Sequence, residues 1–99
     1  MPSTPFPILP AQALERLGER IAFARKARGL SQVELAMRSG IGANSMFTIE
    51  KGGTGVAVGS LVRVLDTLGL LDQLELLVQP ENDAELVSAA ISKLREGSR

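Results

Sequence analysis

The side chains able to recognise another molecule concentrate between Leu30 and Lys51. There Ser31, Gln32, Asn44, Ser45 and Thr48 supply hydroxyls and amides, and Arg38 and Lys51 supply positive charge. Asparagine can form a bidentate pair with adenine, and threonine or an apolar group can touch a thymine methyl. The unpaired N–H groups at a helix N-terminus favour an anion, and a lysine at a helix end reaches a backbone phosphate. Catalytic chemistry has no comparable foothold. Cys and His are absent, which removes thiolate and imidazole metal sites, Cys nucleophiles and His acid/base work. Asp66, Asp72 and Glu75 lack partners for acid/base or hydride chemistry. The run Gly52-Gly53-Thr54-Gly55 lacks the preceding strand and the Gly-Lys-Ser/Thr ending of a nucleotide loop and reads as a turn. No enzyme, cofactor or metal site is expected.

These residues need elements to hold them. Four of the five prolines fall in the first ten residues, so 1–10 reads as an extended arm. A helix over 11–28 places Leu14, Leu17, Ile21, Ala24 and Arg28 along one face, and Gly29 stops it. Ser31 with Glu34 three residues later matches a capping box for a second short helix with Val33, Leu35 and Ala36 as its apolar positions, ended by Gly40. A third helix over 43–50 turns Met46 and Ile49 inward, together with Ile41. Val58, Leu61, Val62, Leu65 and Leu68 mark a fourth helix, 71–77 a fifth, and Leu86, Val87, Ala90, Ile91 and Leu94 a last one capped by Asn82 or Asp83. Two short helices about a tight glycine turn form a rigid unit whose second helix can stand proud and enter a DNA major groove.

Composition agrees with that architecture. At 99 residues the chain suits one domain, and with aromatics at 3% and few alternating strand-like segments the fold class is all-α. No stretch is long enough to span a bilayer, and MPSTPFPILP lacks the basic start of an export signal, so a soluble cytoplasmic protein is expected. Net charge is zero but unevenly spread: residues 14–51 carry +3 and residues 52–99 carry −3, which points to a polyanion-facing side, although an uneven solvated surface explains the charges equally well.

The segment from Leu17 to Val78 resembles the helix-turn-helix family of lambda-type phage repressors, Cro proteins and XRE-like bacterial regulators. The resemblance rests on Arg25, Gly29-Leu30-Ser31-Gln32, Glu34-Leu35-Ala36, Gly40-Ile41, Ile49-Glu50-Lys51-Gly52, Leu61-Val62-Arg63-Val64-Leu65 and Leu68-Gly69-Leu70. Gly69-Leu70-Leu71-Asp72-Gln73-Leu74 is similar to regulators of the HipB type, which often serve as antitoxins beside kinase-like toxins. The resemblance implies a five-helix bundle over 11–78, with an arm before it and a helical extension over 79–99. It implies double-stranded DNA as partner and, in the HipB case, a protein toxin or kinase; because a monomeric helix-turn-helix of this size gives little operator affinity, a homodimer joined through helix 5 or the stripe Leu86, Val87, Ala90, Ile91 and Leu94 is expected. It further implies that Gln32 holds a phosphate, that Ala43, Asn44, Phe47 and Thr48 face base edges, and that Arg25 and Glu50 pair internally. Ser31, Arg38, Gly42, Ser45 and Lys51 complete the implied DNA contact set.

Three departures stand out. Gly42 and Ala43 replace the Ser and the Arg or Gln of many relatives, so readout leans on apolar contact or DNA shape. Phe47 replaces a polar residue; it can reach a thymine methyl, meet another subunit or fold back onto its own core. Ala57 stands where relatives cap helix 4, unless Ser60 substitutes. Phe23, where relatives carry a charge, suits a protein partner or packing beneath the arm, with the arm preferred.

Overall fold

Proline decides where the first helix begins. The computed structural model describes residues 4–97. Its first helix, α1 (Ile8–Ala27), opens directly after Pro7, which is extended at φ −60° and ψ 148°. Pro10 falls in the first turn, where a backbone N–H has no intrahelical partner to lose, and the Ala11 amide donates to the Pro7 carbonyl at 3.0 Å. The helix therefore takes over part of the expected arm, which is reduced to residues 4–7; residues 1–3 lie outside the described residues.

Then follow α2 (Gln32–Ser39), α3 (Ala43–Lys51), α4 (Val58–Thr67), the single turn α5 (Leu71–Leu74), a 3-10 turn at Pro80–Asn82 and α6 (Ala84–Gly97). The described residues are all-helical, without a strand. Leu35, Met46 and Val64 are fully buried at the centre, with Ile21, Ala36, Ile49 and Leu68 closing around them. α3 packs on both α1 and α2, and α2 on α4.

Four sequence expectations need correction. Val33 is exposed, because at 100° per residue it falls opposite Leu35; the inward face of α2 is Leu35, Ala36 and Ser39. On α4 the inward residues are Leu61, Val64 and Leu68, so Val64 is central while Val58 faces solvent. The fifth helix stops at Leu74. Beyond it the Leu76 and Leu77 amides donate only three residues back, to the Gln73 and Leu74 carbonyls at 3.2 and 3.1 Å, and Leu76, Leu77 and Val78 are exposed. Phe23 is 77% exposed rather than sheltered by the arm: it lies fifteen residues along α1 from Ile8, about 22 Å at the helical rise. Of the two capping candidates for α6, Asp83 serves, accepting from the amides of Glu85 and Leu86 at 3.1 and 3.2 Å.

α6 has no buried residue and packs chiefly on the 3-10 turn. The chain is accordingly drawn out to 60 × 39 × 20 Å, with a radius of gyration of 18.1 Å against about 13 Å for a compact chain of this length.

Candidate nucleic-acid interface

α3 is aimed by what holds its C-terminal end. Glu50 receives a two-pronged bond from Arg25 of α1, Nε to Oε2 at 2.7 Å and Nη2 to Oε1 at 2.9 Å. Gln32 of α2 donates its amide to the same Oε1 at 2.9 Å. Arg25 also donates through Nη1 to the Leu30 carbonyl at 2.8 Å, fixing the chain between α1 and α2. One carboxylate thus joins three helices with charge-assisted bonds, which are about twice as strong as neutral ones. The two side chains are only 10% and 5% exposed. Burial pushes the Glu50 carboxyl up, but the bonds from Arg25 and Gln32 and the charges of Arg25 and Lys26 outweigh it and hold the group below the usual carboxylate range. The bond to Glu50 raises the Arg25 guanidinium in turn, against burial.

Close backbone contact completes the clamp. A Cβ on Gly18 would stand 2.5 Å from the Glu50 carbonyl oxygen and 2.6 Å from that of Ile49. Only glycine lets α1 approach α3 this closely, despite the roughly 1 kcal/mol that glycine costs inside a helix. Gly52 ends α3 in the left-handed region at φ 76°, and a Cβ there would meet the Glu15 Cα at 2.6 Å. Neither contact is announced by the sequence pattern. The one signal available was a glycine in the middle of an otherwise regular helix, at Gly18.

The opposite side of α3 is open. Ala43, Asn44, Phe47 and Lys51 are exposed, on the side away from Met46 and Ile49. The Lys51 ammonium stands 5.4 Å from the centre of the Phe47 ring, a cation–π pair one helical turn long. Phe47 is 52% exposed, so it does not fold back onto its own core. Ser45 and Thr48 are half-buried on the flank. The Thr48 hydroxyl donates to the Asn44 carbonyl at 2.8 Å, and its methyl lies against Gly53. The hydroxyl oxygen keeps its acceptor lone pairs, so Thr48 stands on the flank of the exposed side with one hydrogen bond already made.

At the start of α2, Ser31 and Glu34 form the expected capping box: the Glu34 amide donates to the Ser31 hydroxyl at 3.0 Å, and the Ser31 amide donates back at 3.1 Å. The bonds from the Ser31 amide and hydroxyl, with the Arg38 charge, keep the Glu34 carboxyl below its ordinary range. The Gln32 and Val33 amides in this first turn have no intrahelical acceptor and can meet an anion. Gln32 differs from the expectation in one respect, since its side chain is drawn to Glu50 and only its main chain and second amide hydrogen are left for a phosphate. Arg38 is exposed in the last turn of α2. Gly42, extended at φ −71° and ψ 152°, provides no side-chain cap, so α3 begins with bare amides.

Among the described residues no helix is long and apolar enough to cross a membrane. No curated protein matches the chain. A family model described as a helix-turn-helix domain matches residues 16–77, from the third turn of α1 to just beyond α5. With that match covering more than half its length, the chain belongs to the helix-turn-helix domain family, whose members bind DNA.

Proposed function

We propose that the chain is a sequence-specific transcriptional regulator of the XRE-like kind that lays α3 in the major groove, two subunits reading the halves of a pseudo-palindromic operator. The observation that carries this reading is the contrast across α3: a rear locked to α1 and α2 through Glu50, and a free front carrying Ala43, Asn44, Phe47 and Lys51. Asn44 is the base reader, Lys51 and Arg38 hold phosphates, and the start of α2 at Gln32 fixes the register. Selection from a random duplex library, followed by titration at several salt concentrations, tests it. An enriched motif bound with steep salt dependence is expected; enrichment of no motif would overturn it.

Phe23 favours a second role. A ring 77% exposed on the outward side of α1 fits a protein partner, as in an antitoxin-like subunit that also binds its own promoter. Phe23→Ala would then leave operator affinity intact while abolishing capture of the product of an adjacent gene. Unchanged capture removes this role.

A further inference from the structure

At the end of the segment that matches the family and beyond it, the chain carries an apolar surface. On α6, Leu86, Val87 and Ile91 are 46%, 36% and 47% exposed and share one side with Ala90. Just ahead of the 3-10 turn, Leu76, Leu77 and Val78 are 59%, 65% and 90% exposed. Val78 also adopts φ 55°, a strained region for a β-branched residue.

Charge indicates what covers this surface. Glu81, Asp83 and Glu85 lie at or before the start of α6, and Lys93, Arg95 and Glu96 near its end, so the start carries −3 and the end +1. An open groove of about 510 Å³ between the 3-10 turn and α6 repeats the pattern, with Glu81 at one end, Arg95 at the other, and Val87 and Ile91 in its lining. A second α6 laid antiparallel sets each acidic end against the other's basic end; a parallel one sets like against like.

We infer that α6, together with Leu76, Leu77 and Val78, is a self-association surface on which a second copy of this chain lies with its α6 antiparallel. Val87 of each copy faces Ile91 of the other, and the small Ala90 near the dyad lets the helices approach closely. A 14-residue helix is short for this purpose. The residues ahead of the turn extend the patch toward the roughly 1,200 Å² at which specific interfaces begin. The inference rests on the regulator reading for the use made of two subunits but not for its test, which is run without DNA.

Light scattering on the full chain should give twice the monomer mass at about 100 μM, falling toward the monomer near 1 μM. A monomer at the higher concentration overturns the proposal and leaves the surface to a different partner. The double variant Val87→Glu, Ile91→Glu should be monomeric with unchanged helical circular dichroism, because α6 contributes nothing to the core; persistence of the dimer excludes α6 as the interface. The chain has no cysteine, so single replacements report the direction of pairing. Ala90→Cys should form an intersubunit disulfide, whereas two Gly97→Cys positions would stand roughly 24 Å apart at the helical rise and should not. Equal cross-linking at both positions overturns the antiparallel arrangement.

Discussion

The two ends of α3 are built in opposite ways. Its C-terminal end is over-determined by a carboxylate bonded to two other helices, by glycine-mediated contact with α1 and by a left-handed glycine stop. Its N-terminal end begins at Gly42 and Ala43, with no side-chain cap and no long polar side chain until Asn44. Orientation is thus invested heavily and base reading lightly. A helix held this firmly can discriminate with few contacts, because a misplaced base edge cannot be met by tilting the helix. It also follows that damage to the rear should be felt in both folding and binding, whereas damage to the front should be felt in binding alone.

The largest expected effect is at Glu50. Glu50→Ala strands the Arg25 guanidinium and the Gln32 amide, and leaving one partner of a buried pair alone costs about 3–5 kcal/mol. Urea unfolding should show it, and a loss below about 1 kcal/mol would mean that the pair orients without stabilising. Glu50→Gln separates charge from shape through pH. The Glu50 pKa is lowered in the fold, so its contribution is present above the range in which a free carboxylate titrates and is lost as the pH falls through that range toward the folded value. Glu34 shifts in the same direction, so wild type and Glu50→Gln should both weaken in acid, wild type more steeply. Parallel pH profiles would show that Glu50 is not the titrating group.

Next comes Gly18→Ala. An added methyl would press on two backbone carbonyls that cannot rotate away, so α1 and α3 must separate. Helix propensity alone would make this substitution stabilising by up to about 1 kcal/mol; overpacking should reverse the sign, with a net loss of about 1–3 kcal/mol. Because the wedge acts on the rear of α3, operator affinity should fall further than stability predicts. A stabilised variant with normal binding would show that the close approach is not what aims the helix.

The helices were legible in the sequence wherever a local rule decided them: the capping box at Ser31 and Glu34, the left-handed glycine at Gly40, and the inward pair Met46 and Ile49. Less legible were features that depend on distant contacts. Nothing within α1 shows that Gly18 faces the carbonyls of α3, and nothing within α2 shows that one hydrogen of the Gln32 amide will be taken by Glu50. Val58 and Val33 match an apolar pattern yet lie outside the buried face, since hydropathy does not report which side of a short helix meets its neighbour. At the site, residue types do not show that the Thr48 hydroxyl bonds the Asn44 carbonyl one turn back or that its methyl lies against Gly53.

That leaves Asn44 and Lys51 to divide the front of α3. If Asn44 reads a base, Asn44→Ala should cost about 1–3 kcal/mol on the selected site and much less on random DNA. Lys51→Ala should weaken both similarly and reduce the salt slope by about one unit. The Phe47 ring beneath Lys51 makes a further distinction available, because Phe47→Ala should then reproduce part of the Lys51→Ala effect by freeing the ammonium. An unchanged ratio of specific to nonspecific affinity in Asn44→Ala would show that α3 does not read through that side chain.

The smallest effect is expected farthest from the DNA-facing side. α4, like α3, starts without a side-chain cap: Ala57 occupies the position at φ −64° and ψ 140°, and the Ser60 amide donates to the Ala57 carbonyl instead of its hydroxyl capping the helix. That extended backbone is the geometry in which a serine oxygen can accept from an amide in the first turn. Ala57→Ser should therefore add about 1 kcal/mol without altering a contact elsewhere. α4 packs on α2 and lends the core Val64 and Leu68, so a firmer α4 secures the base of the helix pair but leaves the front of α3 as it was. Stability in urea should rise while operator affinity and its salt slope stay constant. A gain in affinity alongside stability would instead reveal that α4 frays in the free protein and is ordered on DNA, which would extend the loosely held part of the molecule from the front of α3 to the front of α4.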